Sequence, residues 1–269
     1  MRTIEVRSFL SRVTLGAALA LWTACAGAKD RVMIVGAHPD DLIACLGFCH
    51  LAKDVYELHV VDLTHGERGL GTAGFEDGST KKIRTKEEEA VCASIGATLH
   101  WMDEIDGEAH ANKDVCDRLA RLMRQLNPRA IIAMWPIDVH SDHVMAGAAA
   151  LRAVTAAGLT PEIWFMQEEY QSKAFAYDVL VDITDVHDKM VESLRLYASQ
   201  SHDGVTELRR CTAASFYGMQ SSHFYGGKAE AYKSFMPVLQ GQRTIFTDLP
   251  APTHKWRCQG VRLPEPVGK

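Results

Sequence analysis

The sequence offers little that would mark a nucleic-acid-binding protein or a cysteine-based metal protein. Its 34 Asp and Glu outnumber its 29 Lys and Arg and leave a formal net charge of -5, so the chain lacks the basic surface that nucleic-acid binding requires. Its 7 cysteines include no CxxC pair, and we interpret them as small core residues rather than metal ligands. The composition therefore favours a small-molecule or glycan partner over nucleic acid.

Long apolar runs are also scarce. Only the segment from Val13 to Ala24 is strongly apolar, and no later segment reaches the ~20 apolar residues of a membrane span. Three arginines precede this run and Ala26-Gly27-Ala28 follows it, which is the order of regions in a signal peptide. We predict a signal peptide over 1–28, cleaved near Ala28, and one exported domain over 29–269. A buried N-terminal helix is the alternative.

A lipoprotein signal is the other alternative at this end of the chain. The stretch from Leu21 to Cys25 matches a lipoprotein cleavage box poorly, because Trp22 is an unusual residue there. The prediction is therefore an exported protein without a transmembrane span in its mature chain, rather than one lipid-anchored at Cys25. Export permits disulfides among the remaining cysteines, although their pairing does not follow from the sequence.

From Val32 onward, strand-like apolar runs alternate with helix-like segments, and no hairpin signal separates the strands. This alternation predicts parallel strands joined by right-handed crossovers. The expected fold is α/β, with a Rossmann-like, doubly wound, mostly parallel sheet and helices on both faces. The predicted strands are 31–35, 56–64, 98–102, 129–135, 162–166 and 178–183, the last as an edge or antiparallel strand. The predicted helices are 42–53, 81–96, 113–126, 144–157 and 186–199, with weaker candidates at 207–214 and 226–235.

Polar clusters follow the first and fourth of these strands. Gly36-Ala37-His38-Pro39-Asp40-Asp41 ends the first, and a segment from Pro136 to His143 ends the fourth. In an open parallel sheet, ligands bind beyond the carboxyl ends of the strands, so the two clusters are expected to face one crevice. A glycine-rich loop from Thr64 to Gly78 emerges from the second strand, either as a cover for the substrate or as a solvated connector.

Residues in these clusters have the chemistry of a catalytic metal site. Such a site draws three ligands from His and carboxylate, and His38, Asp41 and His143 are the candidates. The expected ion is Zn²⁺, although this donor set also accepts other divalent first-row metals. An Asp at a helix start can instead be a plain N-cap, which is the structural alternative for these carboxylates.

Further residues beside the predicted ligands suggest catalytic roles. Asp40 can take a proton from water at the metal, whose acidity the ion raises. His140 can stabilise a developing oxyanion and assist a leaving amine. Asp142 or Asp138 can orient His140 by accepting its second N–H. Asp142 can also cap the helix that follows.

Four segments, in order, resemble those of the PIG-L/LmbE family of zinc-dependent N-acetylglucosamine-type deacetylases. They are Ala37-His38-Pro39-Asp40-Asp41, Thr64-His65-Gly66-Glu67-Arg68-Gly69, Arg84 with Glu87 and Ile95-Gly96, and Pro136-Ile137-Asp138-Val139-His140-Ser141-Asp142-His143. The resemblance runs from about Val32 to Ala150. The chain departs from the family pattern at Leu42, where members commonly carry Glu, and at Tyr197, where members carry His.

The resemblance implies zinc held by His38, Asp41 and His143. It implies Asp40 as general base and His140 as the residue that stabilises the oxyanion. It further implies that Arg84 binds sugar hydroxyls.

The expected function is therefore that of an exported zinc-dependent N-deacetylase. Its substrate would be an N-acetylated amino sugar or glycoconjugate, hydrolysed to free amine and acetate. The alternatives are an amidase acting on another sugar amide conjugate and a catalytically inactive carbohydrate-binding protein. The oligomeric state is not indicated by the sequence.

Overall fold

The chain forms one seven-stranded sheet in which the first five strands are parallel. A computed structural model describes residues 28–221, 226–239 and 241–253, so most of the predicted signal peptide lies outside the described residues. The strand order is β3-β2-β1-β4-β5-β7-β6. The strands are β1 (Arg31–Gly36), β2 (Glu57–Thr64), β3 (Thr98–Glu104), β4 (Ala130–Met134), β5 (Glu162–Met166), β6 (Val179–Asp182) and β7 (Ala229–Ser234). This confirms the predicted Rossmann-like sheet.

Helices connect the strands on both faces of the sheet. They are α1 (Leu46–Ala52), α2 (Thr72–Glu76), α3 (Ser79–Ser94), α4 (Lys113–Leu126), α5 (Ser141–Ala157), α6 (His187–Leu194) and α7 (Val205–Gln220). Helix α4 packs against α5, whereas α1 and α3 each pack against α6. The crossovers therefore divide the helices between the two faces, as a doubly wound sheet requires.

The central strands are apolar because both of their faces are covered. Val32, Met33, Ile34 and Val35 of β1 are fully buried between β2 and β4. Strands buried on both faces show continuous rather than alternating hydrophobicity. Burial of each such side chain contributes about 1.5–3 kcal/mol, so the middle of the sheet forms a rigid base for the loops at its carboxyl edge.

The predicted helix over 226–235 is wrong, since this stretch forms β7 between β5 and β6. The buried carboxylate of Glu230 accepts hydrogen bonds from the amides of Gly47 and Phe48 and from Tyr232, and it pairs with Arg210. These tertiary contacts outweigh the helix propensity of Ala, Glu and Lys. The predicted edge strand at 178–183 is confirmed as β6.

The cysteines that the structure describes are free thiols. Cys45, Cys49, Cys92 and Cys116 are buried and Cys211 is half-buried, in agreement with their interpretation as small core residues. Cys25 and Cys258 lie outside the described residues. Within the described ranges, the helices are too short or too polar to cross a membrane.

Close packing between α5 and β4 depends on Gly147. A Cβ at this position would lie 2.4 Å from the carbonyl oxygen of Met134 and 3.2 Å from Cβ of Pro136. Helix α5 carries His143, so this close approach fixes the height of that imidazole above the sheet.

We expect Gly147→Ala to lower the free energy of unfolding by about 1–3 kcal/mol, because the added methyl group overpacks against backbone. Helix propensity alone would favour Ala by about 1 kcal/mol. Thermal and urea denaturation of the variant provide the measurement. Ala156→Gly, at an exposed position of the same helix, calibrates the propensity effect. A rise in Tm for Gly147→Ala would contradict the packing argument.

Candidate metal centre and active site

The two polar clusters meet beyond the carboxyl ends of β1 and β4. These strands are neighbours, and the strand order reverses between them, which is where open α/β sheets bind ligands. A cavity of about 320 Å³ opens at this point. Its lining includes the predicted residues His38, Asp40, Asp41, Arg84, His140 and His143. The structure thus brings together in one pocket all the predicted site residues except Asp142, which lies directly behind His38.

His38 has one ring nitrogen committed to carboxylates. Its Nε2 lies 3.1 Å from Oδ2 of Asp142 and 3.2 Å from Oδ1 of Asp106. Burial opposes protonation, but the hydrogen bonds to Asp106 and Asp142 and the charge of Asp41 outweigh it and raise the pKa of His38 to about 9. Because Nε2 is the donor to these acids, Nδ1 is the nitrogen that remains for a metal.

His143, on the opposite side, has a carboxylate near each of its ring nitrogens. Its Nε2 lies 3.3 Å from Oδ1 of Asp41, and its Nδ1 lies 3.4 Å from Oδ1 of Asp138. Burial again opposes protonation, but the charge of Asp41 and the contact with Asp138 raise the pKa of His143 to about 11. The other oxygen of Asp41 accepts the amides of Ala37 and His38 at 2.6 and 3.1 Å, which fixes its carboxylate at the strand end.

His140 is held in one tautomer by the helix that follows it. It is the N-cap residue of α5, and its Nδ1 accepts the backbone N–H of Asp142 at 3.2 Å. The proton of the neutral ring therefore resides on Nε2. Burial, together with the charges of His38 and His143, lowers the pKa of His140. A neutral ring with a free Nε2–H suits donation to an oxyanion.

The arrangement of Asp142 differs from the sequence-based expectation. Its carboxylate accepts from His38 and, at 2.6 Å, from the amide of Gly107, rather than from the ring of His140. The reason is that Nδ1 of His140 accepts the backbone N–H of Asp142, so this nitrogen has no proton to donate to the Asp142 carboxylate. Asp138 likewise bonds the backbone N–H of His140 at 2.8 Å, not its ring.

The donor set fits a divalent cation of the zinc type. The ligand atoms of His38, His140 and His143 lie within 4.8 Å of one another, and Asp41 contacts His143 directly. Each of the two predicted imidazole ligands has a carboxylate beside its second nitrogen, as metal-binding histidines almost always do. Because imidazole and carboxylate also suit other first-row metals, this geometry does not select among them.

Asp40 has an unusual backbone conformation that α3 holds in place. Its φ of 97° is in the left-handed region, which side chains other than glycine seldom adopt. Arg84 binds Oδ1 of Asp40 at 2.5 Å and also the carbonyl of Pro39, while Glu88 accepts the Asp40 amide at 3.2 Å. Tyr197 donates to the same oxygen of Glu88 at 2.7 Å. Two residues one helical turn apart therefore clamp Asp40.

Arg84 occupies a cradle made by two glycines. A Cβ at Gly66 or Gly69 would lie 2.3 or 2.6 Å from its guanidinium, and the carbonyl of Gly66 accepts from it at 3.3 Å. The side chain is almost fully buried. Among the described residues, Arg84 donates hydrogen bonds to Pro39, Asp40 and Gly66. Its expected contact with sugar hydroxyls stays a prediction.

Sequence reasoning missed three acidic residues of this site, Asp106, Glu88 and Glu168. Asp106 and Glu168 line the cavity, whereas Glu88 lies beneath Asp40. A signal existed for two of them, since Asp106 and Glu168 each follow a strand that ends at the same edge as β1. No signal identified Glu88, because it lies within a run of three glutamates on a charged helix.

This topology, with a histidine–aspartate cluster at its switch point, defines a Rossmann-like α/β enzyme. Residues 33–154 match the family described as PIG-L, GlcNAc-PI de-N-acetylase. These residues therefore form a PIG-L domain, and the chain resembles the PIG-L/LmbE family.

Two curated relatives in this family are enzymes with different activities. The 4-oxalmesaconate hydratase of Pseudomonas putida KT2440 is 28% identical over 194 residues, which cover 65% of this chain and 75% of the relative. The diacetylchitobiose deacetylase of Thermococcus kodakarensis is 29% identical over 216 residues, or 72% and 80% of the two chains.

Among solved structures, the 4-carboxy-2-hydroxymuconate hydratase of P. putida KT2440 shares the fold with a TM-score of 0.70. It is 24% identical, and the match covers 80% of this chain and 100% of that one.

We expect metal binding to depend on His143 and on the Asp138 carboxylate beside its Nδ1. We expect His143→Ala to lose most of its bound zinc, measured by elemental analysis after dialysis. Asp138→Asn should weaken zinc affinity about 10- to 100-fold, the usual effect of losing a carboxylate behind a metal-bound histidine. Competition with a chromophoric chelator gives the affinity, and Glu89→Gln, at an exposed position of α3, is the control. Unchanged zinc content in His143→Ala would remove this residue from the ligand set.

Proposed function

We propose that this protein is a metal-dependent N-deacetylase that hydrolyses the acetamide group of an N-acetylated amino sugar or glycoconjugate. One observation carries the proposal: a half-buried acid, Asp40, and a neutral imidazole with a free N–H, His140, line one cavity with the histidine–aspartate cluster. The similarity to diacetylchitobiose deacetylase, over 80% of that enzyme's length, supports the same reaction class.

Each of the predicted site residues has a task in this reaction. His38, Asp41 and His143 would hold a zinc ion or another divalent first-row metal, which would polarise the acetyl carbonyl and acidify water. Asp40 takes a proton from the attacking water. Arg84 and Glu88 hold the Asp40 carboxylate in position, since they bind its side chain and its amide. His140 donates its Nε2–H to the carbonyl oxygen as negative charge develops there.

The reaction balances as a simple hydrolysis. Water adds to the acetyl carbon, the C–N bond breaks, and the proton that left the water reaches the departing nitrogen. The products are acetate and a free amine on the sugar. Asp142 acts indirectly, because its contact with Nε2 fixes the orientation of the His38 ring.

Hydration of an unsaturated carboxylic acid is a second candidate function. The curated hydratase of P. putida is 28% identical over 75% of its length. Activation of water by a base beside a metal serves both reactions, so the catalytic residues alone do not separate them.

A mass-spectrometric screen of metal-analysed protein tests the proposed function. The panel contains free and polymeric N-acetylated sugars, other sugar amides, and unsaturated di- and tricarboxylic acids. We expect acetate release from an N-acetylated sugar. Release of a larger acid instead would indicate the amidase alternative, hydration the second candidate, and sugar binding without turnover at saturating zinc an inactive carbohydrate-binding protein.

Asp40→Asn is the matched variant for this screen. It should keep its zinc but lose about 10² to 10⁴ in kcat, since general-base catalysis contributes that much. Normal turnover by zinc-loaded Asp40→Asn would overturn the assignment of the base.

We also propose that the protein is exported after cleavage near Ala28. The order of arginines, apolar run and small residues at the N-terminus supports this. Expression of the full chain in a bacterial host should yield periplasmic protein whose N-terminal sequence starts close to Lys29. Retention of residues 1–28 on soluble intracellular protein would contradict export.

A further inference from the structure

Glu168 is a buried acid of the cavity that the proposed reaction does not use. It follows β5, the strand beside β4, and only 8% of its surface is exposed. A tight turn fixes its backbone, because its carbonyl accepts the amides of Gln171 and Ser172 and its amide donates to the Ser172 hydroxyl. Among the described residues, its carboxyl group has no hydrogen bond or ion pair, and it lines the cavity.

The neighbouring acid shows that this lack of a partner is a specific feature. Glu169, the next residue, pairs with the buried guanidinium of Arg210. Arg210 also binds Glu230 at 2.7 Å. Its two terminal nitrogens therefore pair with carboxylates, and only its buried Nε has no partner among the described residues.

The other arginines that line the cavity are similarly engaged. Arg84 pairs with Asp40, and Arg68 pairs with Glu108. Arg209 is exposed and lies over the ring of Tyr170, 4.4 Å from its centroid. Among the described residues, the buried part of the cavity therefore offers a substrate one carboxyl group without an ion-pair partner, whereas the buried guanidinium groups of Arg84 and Arg210 already pair with carboxylates.

A buried carboxyl group without a partner is costly unless a ligand or water satisfies it. Burial, together with the negative charges of Glu169, Asp40 and Asp41, raises the pKa of Glu168 well above its usual range. The same charges would repel a carboxylate of a substrate. A hydroxyl group satisfies Glu168 in either protonation state, because it both donates and accepts.

We propose that Glu168 is a substrate-binding and specificity residue that hydrogen-bonds hydroxyl groups of an uncharged sugar ring and excludes substrates with a carboxylate at that place. The assignment rests on the proposed function and narrows its substrate class to neutral N-acetylated sugars. It also disfavours hydration of polycarboxylic acids, which would need a cation where this cavity has Glu168.

The test compares Glu168→Gln with the wild type, both as full-length, zinc-loaded protein. The substrates are N-acetylglucosamine oligomers and the same sugars carrying a carboxylate on O3 or at C6. We expect Glu168→Gln to raise KM for the neutral sugars up to about tenfold, the size of one lost hydrogen bond. The effect on kcat should be smaller than that on KM. The preference for neutral over carboxylate-bearing sugars, measured by kcat/KM, should fall by at least the same factor.

Two further variants make the result specific. Glu168→Ala should raise KM for the neutral sugars more than Glu168→Gln does, since it removes the acceptor altogether. Glu89→Gln, on the exposed side of α3, should change neither parameter. Zinc content must equal that of the wild type in all three, and an unchanged preference in zinc-loaded Glu168→Gln would overturn the proposal.

Failure of the proposed function can be distinguished from failure of the Glu168 assignment. If the wild type releases no acetate from any sugar, equilibrium binding of the same neutral and carboxylate-bearing sugars replaces kinetics. Tighter binding of neutral sugars that weakens in Glu168→Gln would still support the assignment of Glu168. Tighter binding of the carboxylate-bearing sugars by the wild type would overturn it.

Discussion

The site depends on the conformation of one residue, Asp40, at the point where β1 stops. A left-handed backbone at a residue other than glycine costs about 1–3 kcal/mol and persists only where its surroundings hold it. Here Arg84 binds the Asp40 side chain and the preceding carbonyl, and Glu88 binds the Asp40 amide. The turn directs two adjacent carboxylates to different partners, Asp40 to Arg84 and Asp41 to His143. Adjacent acids thus acquire unequal chemistry from backbone geometry alone.

Hydrogen bonds also fix the orientation of two imidazole rings, those of His38 and His140. Asp142 and Asp106 bind Nε2 of His38, and the Asp142 amide binds Nδ1 of His140. One residue, Asp142, therefore orients two histidines, one through its carboxylate and the other through its backbone. Both groups belong to the start of α5, so one helix terminus positions His38 and His140 together.

Much of this arrangement follows from the sequence, since it depends on local patterns. Continuous apolar runs gave the parallel strands, and the strand ends located His38 and His143. Residues that contact the site from distant parts of the sequence could not be predicted in this way. Glu88 reaches Asp40 from another helix over a sequence separation of 48, and no periodicity distinguishes it from Glu87 or Glu89. The strand at 229–234 was missed for a related reason, because its stability comes from contacts of Glu230 with α1 and α7.

The position after the Asp pair shows how such distant contacts change what a family motif means. Leu42 is packed into the core with 2% of its surface exposed, so this chain has no carboxylate there. The carboxylate beside Asp40 comes instead from Glu88 on α3, supported by the hydroxyl of Tyr197, the second position that departs from the family pattern. Tyr197 is thus explained by its hydrogen bond to Glu88, and Leu42 by its place in the core. Glu88 and Tyr197 lie behind Asp40, whereas Glu168 lines the cavity. The family pattern can therefore vary behind Asp40 without a change in the residue that we propose selects the substrate.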